Sequence, residues 1–344
     1  MVKALPQWVK KLWTELKGRW DTLPPQGLKR VVPKARYLGV AGGRNLRIYD
    51  IFEDPTNPSE ISHLTVGPTD TLKLTWGVFL TEGYAYVTQD YSGIPDQFHI
   101  VDISDPYSPT LINTLGIYGA LKRVWVEGNY AFICNDINGA GLRIVDVSDP
   151  ASPTLISTLG SRAYDCHVVD NLVAVQGSSG FYIVDVSDPT SPEVLGSISG
   201  GGVDVYVDKK RNLAFVNTGG GLRIIDISDP TSPTILSYLD LFYGNGRGVW
   251  GKDNYVYLAG DYPDYWHGRV VAVDTSDPTN PTVFHDIISP VPRDPGDLYI
   301  TANTLYCGTR LGYLVVYDIT NYTLNYVTVI GVDTISAVHA VEIW

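Results

Sequence analysis

A seven-bladed β-propeller, all-β with four-stranded blades, is what this sequence predicts, on three grounds. The first is composition. Of 344 residues 44% are hydrophobic, with 34 Gly, 22 Pro, 23 Tyr and 1 Met. That mixture is rich in strand and turn formers and poor for an ordinary helical protein. The second is a segment that recurs seven times. It reads Leu46-Arg47-Ile48-Tyr49-Asp50, then FHIVDISDPYSP from Phe98, LRIVDVSDPASP from Leu142 and FYIVDVSDPTSP from Phe181. It continues as LRIIDISDPTSP from Leu222, VVAVDTSDPTNP from Val270 and a degenerate LVVYDITNYTLN from Leu314. The third is spacing. The aspartates that close these segments, Asp50, Asp102, Asp146, Asp185, Asp226, Asp274 and Asp318, lie 52, 44, 39, 41, 48 and 44 residues apart, a period compatible with propeller blades.

Residues 1–36 precede the repeats as a basic arm. Nine basic side chains against two acidic ones give the arm a formal charge of +7, and the remaining residues carry −19 of a total −12. Pro6 to Trp20 reads as an amphipathic helix, because Val9, Trp13, Leu16 and Trp20 form one apolar stripe, with Lys10, Lys11 and Lys17 largely opposite. Asp21 to Gly27, with Pro24-Pro25, ends it.

Residues 37–344 form the ring. The first strand signal, Tyr37 to Ala41, has the character of a second strand (b), and the last, Val338 to Trp344, that of an innermost strand (a). One blade is therefore expected to take strand a from the C-terminus and strands b, c and d from the N-terminal side, which removes an open sheet edge. The third unit shows the pattern. Strand a is Lys122 to Glu127, Gly128-Asn129 turns, b is Tyr130 to Cys134, c is Leu142 to Val147, Ser148-Asp149-Pro150 turns, and d is Thr154 to Leu159. No unit holds a pattern of helical period, which excludes helical solenoids.

The segments IVDISDP from Ile100, IVDVSDP from Ile144 and Ile183, and IIDISDP from Ile224 resemble the LVIVD-repeat family. The resemblance implies a propeller of the kind found often in surface or exported bacterial and archaeal proteins. It brings no catalytic set.

The chemistry of the chain points the same way. An acidic ring disfavours nucleic acid as a partner. Cys134, Cys166 and Cys307 sit in no CxxC, and the six histidines lack metal-ligand spacing, so neither a metal nor another cofactor is expected. There is no GxSxG and no P-loop. Asp165-Cys166-His167 is no nucleophile–base pair, since strand neighbours point apart. No apolar run is long enough to span a membrane, and Lys10-Lys11 interrupts any signal-peptide core. The compartment stays open between a cell surface, a virion, a membrane periphery and the cytoplasm.

The near-invariant SDP turns form one face of the ring, and their Ser and Asp side chains are read as turn formers. Breaks in the repeat fall mainly on the opposite face, in the b–c and d–a loops. The longest are Gln89–Asp96, Asp261–Gly268, Phe242–Gly246 and Pro290–Asp294. Aromatic and charged side chains there are what recognition surfaces use, so Asp90, Tyr91, Tyr243, Arg247, Tyr265, Trp266, His267 and Arg293 are the binding candidates, for a protein partner. The bland alternative is that these aromatics cover their own blades. Alignment on Asn129, Asn171, Asn254 and Asn303 puts Lys122, Asp165, Arg247 and Gly296 in one ring at the channel mouth, with His339 near it. Arg123, Cys166, Asp204 and Asp297 form the adjacent row. These charges either pair across the channel or serve a hydrolase or lyase, with Asp165 or His339 as base and Lys122 or Arg247 holding an oxyanion. The leading expectation is a non-enzymatic scaffold. Its arm, through Trp8, Lys10, Lys11, Trp13, Lys17 and Trp20, docks on the ring, on an anionic membrane surface or in a partner's groove.

Overall fold

Strands b and c of each unit are predominantly apolar, strand a mixes apolar residues with charged and polar ones, and strand d alternates with polar residues. Leu142–Asp146 is buried at three of its five positions and half-buried at the other two, whereas Thr154–Leu159 is exposed or half-exposed throughout. Strands covered on both faces read as continuous apolar runs, and an edge strand does not. The computed structural model describes residues 36–66, 73–91, 95–242, 246–261, 267–292, 295–309, 312–331 and 338–343. The basic arm, and with it the helix expected over residues 6–20, lies outside them.

Seven antiparallel sheets of four strands each are present, each ordered a-b-c-d. In blade 3 these are Leu121–Glu127, Tyr130–Asn135, Leu142–Asp146 and Thr154–Leu159. The inner strands of blades 2, 4, 5, 6 and 7 are Lys73–Thr81, Ala163–Val169, Asp204–Asp208, Gly246–Lys252 and Pro295–Thr301. Blade 1 takes Val338–Ile343 as its inner strand, antiparallel to Tyr37–Gly42, with Leu38 opposite Ile343 and Val40 opposite Val341. Every c–d pair slips register at the same place, as between Ile144 and Val145 or Ile183 and Val184, and such bulges add the local twist that a radial sheet needs. The core lies between blades. Phe132, Leu142, Cys166 and Val173 come from blades 3 and 4, and Tyr86, Phe98, Leu121 and Ile133 from blades 2 and 3.

The SDP segments are turns. Asp146 Oδ1 accepts Ser148 N–H at 2.8 Å, Asp149 Oδ1 accepts Ala151 N–H at 3.0 Å, and the Asp149 carbonyl accepts Ser152 N–H at 2.9 Å. The same bonds recur at Asp185, Asp188, Asp226 and Asp229. The turns also tie neighbouring blades, since Ser157 Oγ donates to the Pro189 carbonyl at 2.8 Å and Ser237 Oγ to the Pro278 carbonyl at 2.7 Å. In the degenerate blade 7, Asn321 and Tyr322 sit at φ 58° and 65°. There Tyr322 stacks on Tyr255 of blade 6 at 4.2 Å and donates to Asp253 at 3.0 Å. The a–b and c–d turns thus occupy one face and the b–c and d–a connections the other.

Candidate functional site

The starts of the inner strands converge where the ring meets the channel, and they build a cup of about 410 Å3. Its walls fall into tiers, the upper two from consecutive residues of strand a, where a register shift as between Leu121 and Val124 or Ala163 and Asp165 interrupts the alternation of side chains. The outer tier takes one residue from each of blades 2 to 7: Trp76, Lys122, Tyr164, Val203, Arg247 and Gly296. Lys122 Nζ lies 3.7 Å from the centre of the Trp76 ring, a close cation–π contact.

The second tier is Arg123, Asp165, Asp204 and Asp297, with Gly77 and Gly248 at the same level. Glycine is needed there, because a Cβ on Gly77 would sit 2.6 Å from the Lys122 carbonyl and one on Gly248 2.4 Å from the Gly296 carbonyl. Arg123 Nε lies 3.0 Å from Asp165 Oδ1, and its Nη1 pairs with Asp297 Oδ2 on the far side of the channel. Asp165 Oδ2 accepts Val205 N–H at 2.8 Å, and Asp204 Oδ2 accepts Val249 N–H at 2.8 Å. Each of these two carboxyls therefore holds the next blade. Burial, and then the Asp165 carboxylate beside it, hold Asp204 well above the usual carboxylate range against the pull of Arg123.

A third tier lies beneath. Phe79, Trp125, His167, Tyr206, Trp250 and Tyr299 project from blades 2 to 7, and Glu342 holds the matching register position in blade 1, opposite Gly39. The rings meet across the axis. Trp125 lies 4.3 Å from His167 and 6.5 Å from Trp250, and Trp250 lies 4.7 Å from Tyr299. Burial lowers the His167 pKa to about 4, so its imidazole is neutral. A cluster of rings thus lies beneath the charged tier.

The sequence-predicted residues distribute as follows. Lys122, Arg247 and Gly296 stand together in the outer tier as expected. Asp165 does not join them. It lies one level deeper, beside Arg123, and Tyr164 takes the outer place. Cys166, expected with Arg123, is buried between blades 3 and 4, its Sγ 3.9 Å from the Phe132 carbonyl. The reason is that the outer tier stands seven residues before the turn asparagines Asn129, Asn171, Asn254 and Asn303. The second tier stands six before, and Asp165 is six before Asn171. Cys166 and His167 do diverge. All three cysteines are buried, and burial pushes Cys307 up to about 12, so none is a reactive thiol.

The long loops are shorter than the sequence suggested. The loop expected over Gln89–Asp96 loses both ends to strands, Tyr84–Tyr91 and Asp96–Asp102, so Asp90 and Tyr91 lie at a strand end. Gln89 is buried and its Oε1 lies 3.1 Å from His99 Nε2. Asp96 is buried too, and its Oδ2 accepts Leu121 N–H at 2.7 Å. Phe242 belongs to the core under Gly260 rather than to a loop surface. His267 begins strand c of blade 6, opposite Pro292, and His339 lies on Val338–Ile343. Tyr243, Tyr265, Trp266 and Arg293 lie outside the described residues, as do Trp8, Lys10, Lys11, Trp13, Lys17 and Trp20. The aromatic tier escaped the sequence reading, although its signal was present. An aromatic or imidazole ring stands four residues before each of Asn129, Asn171, Asn254 and Asn303. Among the described residues no group of three or more His, Cys, Asp or Glu side chains is arranged to hold a metal ion, and no helix is long and apolar enough to cross a membrane.

The LVIVD repeat matches residues 74–115, 118–159, 164–199, 205–240 and 243–286. No curated protein matches the chain. Among solved structures, a hypothetical selenium-binding protein from Sulfolobus tokodaii is 12% identical at a TM-score of 0.67, covering 91% of this chain and 94% of that one. A protein from Lactobacillus plantarum is 13% identical at 0.72, covering 90% and 99%. A functionally unknown protein from Desulfotomaculum acetoxidans is 14% identical at 0.69, also covering 90% and 99%. At these identities the likeness speaks for the fold alone.

Proposed function

Because the chain belongs to the LVIVD-repeat family, we propose that it is a non-catalytic propeller scaffold, sealed by its C-terminal strand, that presents its b–c and d–a loops to a protein partner. The observation that carries this reading is the state of the carboxyls at the channel mouth. Asp165 lies against Arg123 and accepts the Val205 amide, and Asp204 accepts the Val249 amide. Both are occupied in holding blades together. A carboxylate engaged by a guanidinium and a backbone N–H of the next blade is a structural tie, which counts against Asp165 as the base of a hydrolase or lyase. What differs from blade to blade in sequence lies in the b–c and d–a connections, the segments that hold Tyr243, Tyr265, Trp266 and Arg293. Rigid scaffold and variable loop is the usual division of labour in recognition.

In this reading the +7 arm adds a second attachment, to an anionic membrane surface, through its Trp and Lys side chains. Two measurements test the proposal. An esterase, lactonase and glycosidase panel on the full chain is expected to show no activity. Turnover that Asp165→Asn abolishes would replace the scaffold reading with an enzyme. Liposome flotation is expected to retain the full chain on anionic vesicles and to lose a chain lacking residues 1–36. Equal behaviour of the two chains removes the membrane role.

A further inference from the structure

Five blades bury an aromatic ring at one register position where blade 4 has none. Two residues along strand b from the partner of the strand-closing aspartate, these rings are Tyr86, Phe132, Phe215, Tyr257 and Tyr306. Blade 1 has Gly39 there, and Leu80 of blade 2 takes the space, since a Cβ on Gly39 would lie 2.9 Å from Leu80 Cδ1. Blade 4 has Ala174. Val207 of blade 5 stands at the register of Leu80 but is shorter, and a cavity of about 180 Å3 remains between blades 4 and 5. Leu172, Ala174 and Ile183 wall it on one side, Val207 and Ile227 on the other, and His167 stands at its inner end. Its rim lies among the SDP and a–b turns, where Lys209 Nζ of blade 5 donates to Asp170 Oδ1 of blade 4 at 2.7 Å.

We infer that this cavity binds one small uncharged phenol, its ring in the space that the other blades fill and its hydroxyl toward His167. Three features carry the inference. The first is size. An engineered apolar cavity of about 150 Å3 takes up benzene, so the space between blades 4 and 5 suits one ring and not two. The second is the origin of the space. The gap lies where an intrinsic ring packs against the next blade in the other interfaces, as Tyr86 does with Val126 and Phe132 with Val168, so a ligand ring meets the same kind of walls. The third is chemistry. The walls are apolar, and His167, 7% exposed, brings a polar group to them, with its Nδ1 buried and without a hydrogen-bond partner among the described residues. A buried polar atom left unpaired costs stability, and a ligand hydroxyl relieves that cost. Burial keeps the imidazole neutral, so it accepts from an O–H at one nitrogen and offers an anion no charge. At the rim, Asp170 and Lys209 are both well exposed, and such ion pairs are weak, so the pair parts readily for entry. The inference does not depend on the loop reading, because the cavity lies on the face of the SDP turns, opposite the variable loops.

Calorimetry on the full chain tests it, with phenol as the probe, benzene as the ring without a hydroxyl and benzoate as the charged ring. Phenol is expected to bind with a Kd of about 1 mM or tighter, and at least about threefold tighter than either control. Ala174→Phe restores the ring of the other blades. It is expected to keep the fold, judged by circular dichroism, and to weaken phenol about tenfold or more. Ala174→Leu narrows the cavity with a smaller demand on packing and is expected to weaken phenol severalfold. His167→Phe is expected to remove the preference for phenol over benzene. No binding of phenol up to about 10 mM, benzene or benzoate bound as tightly, undiminished binding by a folded Ala174→Phe or Ala174→Leu chain, or a preference that survives His167→Phe would each overturn the assignment.

Discussion

Two buried imidazoles make stability depend on pH in the acidic range. His99 Nδ1 lies 2.9 Å from Thr114 Oγ1 and its Nε2 3.1 Å from Gln89 Oε1, and His167 is packed among Trp125, Tyr206 and Trp250. Burial lowers both pKa values to about 4. The unfolded chain therefore binds more protons than the folded one between about pH 6.5 and 4. Stability is full above that window and falls as pH drops through it, by up to roughly 3 kcal/mol for each imidazole. Thermal melts across pH 4 to 7 are expected to show this fall, and His167→Phe is expected to flatten it. Asp204 works with the opposite sign. Its raised pKa gives a contribution present at low pH and lost as pH rises above the usual carboxylate range. Asp204→Asn is therefore expected to raise Tm at pH 8 relative to pH 5, and a lower Tm at both would show that ionised Asp204 is required. The hub also shows where sequence reading stops. The charges at the mouth were legible as residue types. Their levels were not, because strand a slips register at this point, as between Leu121 and Val124 and between Ala163 and Asp165, and a bulge interrupts the two-residue alternation.

Strands and turns were far more legible. The turn-bounded apolar runs placed strand d of blade 3 at Thr154–Leu159 as observed, and strands b and c to within a residue. The SDP reading holds for its aspartates, since Asp105, Asp149, Asp188, Asp229 and Asp277 each accept a local amide, while the serines contribute their backbone N–H to the strand-closing aspartates. Asp226→Ala removes the bond from Ser228 N–H at 2.8 Å and is expected to destabilise by about 1 kcal/mol, with Asp226→Asn recovering most of it. A denaturant titration showing no change for the alanine variant would leave the turn role without support. The hairpin ends were misread for a physical reason. Gln89, Asp96 and Phe242 look like loop residues by composition, but a buried amide, carboxylate and ring are satisfied by His99, the Leu121 amide and Gly260 from other strands and blades. Local sequence does not show such partners.

For the ring as a whole, seven near-equal sheets leave one seam, between the first and last strands of the domain. Tyr37–Gly42 pairs there with Val338–Ile343, and removing residues 338–344 exposes a sheet edge in the hub. That truncation is expected to lower Tm by at least about 5 °C and to promote association, whereas an unchanged melt would mean the seam adds nothing. The same geometry gives the ring two unlike faces, a uniform one of SDP turns and a variable one around the cup. Photo-crosslinking in native extract distinguishes them, with p-benzoylphenylalanine placed either at Tyr265 in the b–c loop of blade 6 or at the exposed Ala151 in an SDP turn. A protein adduct from position 265 and none from position 151 is the predicted result; an adduct from 151, or none from 265, would contradict the recognition role given to the variable face.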